Sequence, residues 1–123
     1  MTSVSIQKKR SEVRHMEQYL LIMKWSYEYD KEGTWFDHDS GEKRYELTEG
    51  AEYPLPHEDT IKVVIKSVVK DGDAVKAEVY VDHHTVTVVS GAEPVIAHAS
   101  NSYSVAGDSV DESWCLTFTI EKA

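Results

Sequence analysis

The chain has 123 residues, the size of one domain with a single core, so residues 1–123 are read as one β-rich unit. Hydrophobic residues make up 41%, charged residues 28%, and 22 acids against 13 bases give a net charge of -9. That composition is ordinary for a globular domain, and the acidic balance argues against nucleic acid as a partner. The apolar run Tyr19 to Met23 is too short to cross a bilayer and follows charged residues without a cleavage site. Glu12 and Glu17 do not suit a transit peptide, so neither a membrane partner nor a targeting segment is expected. One cysteine, Cys115, leaves no intrachain disulfide, and the default expectation is a cytoplasmic protein.

The aliphatic choice carries the fold class. There are 15 Val and 6 Ile against 5 Leu, with 8 Thr and 7 Tyr. Branching at Cβ restricts χ1 and suits a pleated surface better than a helix. The expectation is an all-β, antiparallel sandwich or small barrel of eight to ten short strands.

In chain order, residues 3–9 read as a possible strand, and 10–17 as either a short helix or extended chain. Over 11–24 the two periods compete: Val13, Met16, Leu20 and Met23 share a helical face. Tyr19, Leu21, Met23, Trp25, Tyr27 and Tyr29 alternate without a break, which favours a strand over 18–30. Residues 30–33 suit a hairpin loop, 34–37 a returning strand, and Asp39-Ser40-Gly41-Glu42 a second turn before 43–47. Pro54 and Pro56 mark 49–59 as a longer connection, because proline cannot donate to a ladder.

The second half alternates more plainly. Ile61, Val63 and Ile65 precede the turn 70–73, and Val75, Ala77, Val79 and Val81 follow it. Short strands are expected over 85–89 and 95–99 around the loop 90–94, with 100–112 partly loop. The last strand places Trp114, Leu116, Phe118 and Ile120 on one face and Cys115, Thr117 and Thr119 on the other.

Charge is uneven. Residues 1–25 carry five bases against two acids, whereas the rest carries eight bases against 20 acids. A basic leading segment on an acidic body could dock on that body or on a neighbouring subunit, although a solvated surface needs no such explanation.

The motif search is thin. No phosphate-binding loop, dinucleotide fingerprint, nucleophile elbow or zinc-protease signature occurs. His83 and His84 would point to opposite faces of a strand, and a metal would need them to converge with His98, so neither a metal nor a cofactor is expected. Asp37, His38, Asp39 and Glu42 fit a turn better than a calcium loop. Cys115 has no cationic neighbour in sequence to activate it.

Aromatic clustering is the best functional clue. Trp25, Tyr27, Tyr29, Trp35 and Phe36 fall within twelve residues. Cross-strand aromatic pairs can serve the sheet alone. They can also line a ligand face or a protein interface, and the ligand-binding residues would then be Trp25, Tyr27, Tyr29 and Trp35. The expected function is a small, non-catalytic intracellular module that acts through protein–protein association, self-association first. One alternative is a small barrel that binds an apolar or planar molecule through its aromatic face. The other is an enzyme whose His and carboxylate groups are assembled by the fold; no catalytic residue can be named for it.

Overall fold

A computed structural model describes residues 19–32 and 35–123. Eight strands form, in order β1 (Tyr19–Lys31), β2 (Trp35–Glu46), β3 (Glu52–Leu55), β4 (Glu58–Asp71), β5 (Ala74–Val81), β6 (His84–Val89), β7 (Val95–Val105) and β8 (Asp108–Lys122). They build two antiparallel four-stranded sheets, β2-β1-β8-β7 and β3-β4-β5-β6. Among the described residues there is no helix. The readings over 3–9 and 10–17 lie outside the described residues.

The all-β sandwich follows from period-two alternation. In β8 the even-numbered residues Val110 to Ile120 are buried, and Leu21, Met23 and Tyr27 fill the facing positions of β1. Val63, Ile65, Val75, Ala77, Val79, Val81 and Val88 supply the other half of the core from the second sheet. Small β-branched side chains suit this layer because each sheet presents alternate residues to the other.

The barrel expectation is corrected: the two sheets remain separate, with β2, β7, β3 and β6 as edges. Three local readings also change. Residues 39–42 are not a turn but the middle of β2, paired with Tyr27, Ser26, Trp25 and Lys24. Gly41 is needed there because the Trp25 indole lies over it; a Cβ would come 2.8 Å from Trp25 Cζ2. Glycine in a strand marks such a close approach.

The connection 49–59 contains β3, an edge strand that tolerates Pro54. Residues 100–112 are not loop: β7 and β8 pair from Val95↔Phe118 to Val105↔Asp108. Ala106 and Gly107 form the tight turn between them, both at positive φ, as a type I′ turn requires. The strands expected over 85–89 and 95–99 form, but they are not partners, since β6 and β7 belong to different sheets.

Candidate functional site

Pairing in the first sheet arranges its inward side chains in rows. Gly41, Trp25, Leu116 and Ala97 make one row; Asp39, Tyr27, Trp114 and Ala99 make the next. Then come Asp37, Tyr29, Glu112 and Asn101, and finally Trp35, Lys31, Val110 and Tyr103. The second sheet turns back at the level of the Tyr27 row. There Trp114 Nε1 donates to Pro56 O at 2.8 Å, and Ser100 N donates to Asp82 at 2.9 Å. Beyond these contacts the first sheet continues through two more rows, in which Glu112 and Val110 are still buried and Trp35 and Tyr103 are exposed.

The join between the sheets is polar. The Tyr27 hydroxyl donates to Glu112, a carboxylate only 5% exposed. Asn101 Nδ2 donates to both Glu112 Oε1 at 3.2 Å and Glu58 Oε2 at 3.0 Å, so β7, β8 and β4 meet at one amide. Thr60 donates to Glu58 through both its hydroxyl, at 2.7 Å, and its backbone N–H, at 3.1 Å. Those bonds, led by the Thr60 hydroxyl, hold Glu58 below the usual carboxylate range. Burial, then the bond to Glu112, raises the Tyr27 hydroxyl well above its ordinary value.

His57 closes the β2 side. Pro56 and His57 turn β3 into β4, and His57 has φ of 71°, as the second central residue of a type II turn requires. Glycine usually fills that position. The imidazole is used instead: it stacks on Tyr27 with centroids 4.2 Å apart, meets the Trp25 ring edge-on at 5.8 Å, and pairs with Asp39 Oδ2 at 2.9 Å. The bond to His57 is the main cause that lowers the Asp39 carboxyl.

Of the four aromatic residues singled out by sequence, Trp25 and Tyr27 are brought together under His57. Tyr29 sits one row farther out, beside Glu112. Trp35 is separated from them at the projecting end and is 61% exposed. Phe36, equally exposed, lies on the opposite face of β2. Tyr103 and Val105 are 40% and 41% exposed at the other side of the same end. A short β3 explains why β2 is so open: four residues cannot cover a twelve-residue strand.

Sequence reasoning missed His57, Glu58, Asn101 and Glu112. Only Glu112 left a signal, as an acid in the inward register of an otherwise apolar strand. The fold does bring His and carboxylate groups together, yet their polar atoms bond to one another, within the first sheet from Tyr27 to Glu112 and between the sheets from His57 to Asp39 and from Asn101 to Glu58. This is the chemistry of a latch.

His83 and His84 separate at a tight turn in which Asp82 and His83 both take positive φ. His84 and His98 line a shallow outer groove of about 370 Å³ with Glu28, Asp82 and Cys115, while His83 faces elsewhere. Among the described residues no three His, Cys, Asp or Glu side chains are placed to hold a metal ion. No protein-family model matches the chain, and neither a curated protein nor a solved structure is significantly similar to it.

Proposed function

We propose that the protein is a non-catalytic interaction module that associates, first of all with itself, through the projecting end of the β2-β1-β8-β7 sheet. The observation that carries this reading is the exposure of Trp35 and Phe36, 61% each, with Tyr103 and Val105 at the same end. Single exposed apolar residues are ordinary, but here Trp35 and Phe36, on the two faces of β2, and Tyr103 and Val105, on β7, all gather at one end of the sheet. Tyr and Trp anchor protein interfaces because they supply large contact area at low entropic cost.

The test is light scattering after size exclusion over a concentration series. The wild type should show a mass above the 14.0 kDa of one chain. The Trp35→Ala/Phe36→Ala variant should run as a monomer with unchanged thermal stability. A wild type that stays monomeric, or a variant that associates equally well, defeats the proposal.

A second reading keeps a planar small molecule as the occupant, against Trp25 and the open inner face of β2. It is favoured by the Trp25 indole N–H, which is buried and makes no hydrogen bond among the described residues. Saturable quenching of tryptophan fluorescence by an aromatic ligand panel, lost in Trp25→Phe, would establish it.

A further inference from the structure

The aromatic end is also the acidic end. Residues 28–32, 35–39 and 101–112 at this end contain eight acids and the single base Lys31, a net of -7 from a chain total of -9. Lys31 itself lies 3.7 Å from Asp108. Asp37 lies two residues from Trp35 on the same face of the exposed strand β2, and Asp39, one row further in, is bonded to His57. An exposed indole amid carboxylates attracts a cation twice, through the field of the acids and through the face of the ring.

The chain carries a matching sequence. Residues 1–18 hold Lys8, Lys9, Arg10 and Arg14 against Glu12 and Glu17, with Val4 and Ile6 just ahead. These residues lie outside the described part, and only their sequence and length enter the argument. We propose that the projecting end receives the basic leading segment of a second copy of this chain, with Lys8 to Arg10 set against the acids and the Trp35 ring. This rests on the reading of that end as the self-association surface.

Reach allows either copy, and the reading of this end as the self-association surface selects the second. Tyr19 begins β1 at the end remote from Lys31, and β1 spans 13 residues, about 40 Å at 3.3 Å per residue. Lys8 to Arg10 precede Tyr19 by nine to eleven residues, which stretch to about 30–40 Å at most. With a second copy the contact is heterologous, a different surface on each partner, so it extends from copy to copy or closes into a ring.

The test compares three full-length chains by light scattering: wild type, Lys8→Glu/Lys9→Glu/Arg10→Glu, and Trp35→Ala/Phe36→Ala. The charge-reversed chain should associate at least about tenfold more weakly, because like charges would then face each other. Raising salt from about 50 mM to about 500 mM should weaken the wild type in the same direction, as screening shortens the reach of exposed charge. A synthetic peptide of residues 1–18 should compete. If the charge-reversed chain associates as well as wild type while the aromatic variant does not, this inference fails and the reading of the projecting end stands. A wild type that is monomeric throughout overturns both.

Discussion

The imidazole of His57 lies flat on the ring of Tyr27, 8° from parallel, and reaches Asp39 from a backbone position that glycine would normally occupy. A turn residue thus ties the second sheet to two strands of the first. His57→Ala loses the stacking, worth about 0.5–1.5 kcal/mol, and keeps a side chain at positive φ. His57→Gly loses the same stacking but relieves the backbone. Glycine should therefore be the less damaging substitution by up to about 1 kcal/mol, after its greater freedom in the unfolded chain is counted. Urea titration of both variants measures the order directly.

Tyr27→Phe removes the hydroxyl that donates to Glu112 and leaves a carboxylate, 5% exposed, with Asn101 as its remaining donor in the latch. A loss of about 1–3 kcal/mol is expected. Tyr27→Phe/Glu112→Gln should recover part of that loss, because a neutral amide tolerates burial better than an ion. Thermal melts at neutral pH compare the two.

Alkaline pH should destabilise the fold through its tyrosines. Burial is the leading cause that raises Tyr27, Tyr53 and Tyr103 above 10.0 and pushes Tyr45 up to about 12. A group raised on folding contributes stability below its unfolded pKa and loses it as pH climbs through the folded value. The contribution is therefore intact up to about pH 10 and declines above it. Absorbance titration of the phenolates should show fewer than the seven tyrosines ionising near pH 10 before unfolding. All seven titrating together would contradict the buried environments.

Gly41→Ala should cost about 1–3 kcal/mol, as overpacking does. The new Cβ would meet the Trp25 indole at 2.8 Å, and that ring is held against His57 and the core. Ser40→Ala, on the outer face of the same strand, should be near neutral and serves as the control. Melting temperature and tryptophan emission report on both.

Alternation made the core legible. Trp114 to Ile120 and Val75 to Val81 announce their buried faces residue by residue, as does Tyr19 to Tyr29. The errors fell where turn chemistry and tertiary demand use the same residues. Asp39-Ser40-Gly41-Glu42 has the composition of a turn, yet Gly41 serves an indole from the neighbouring strand. Ser and Gly between 100 and 112 masked a ladder whose real turn is two residues long. The aromatic stripe was visible, but its division into Trp25 and Tyr27 beneath His57 and Trp35 in the open depends on where the second sheet stops. The latch was out of reach because Tyr27 and Glu112 stand 85 residues apart.

Amide hydrogen exchange at low and high protein concentration tests the central claim most directly. If the projecting end is the association surface, protection should rise with concentration in the segments from Tyr29 to Asp37 and from Tyr103 to Val110, and stay constant in β4 and β5. Concentration-dependent protection confined to the second sheet, or none anywhere, would contradict it.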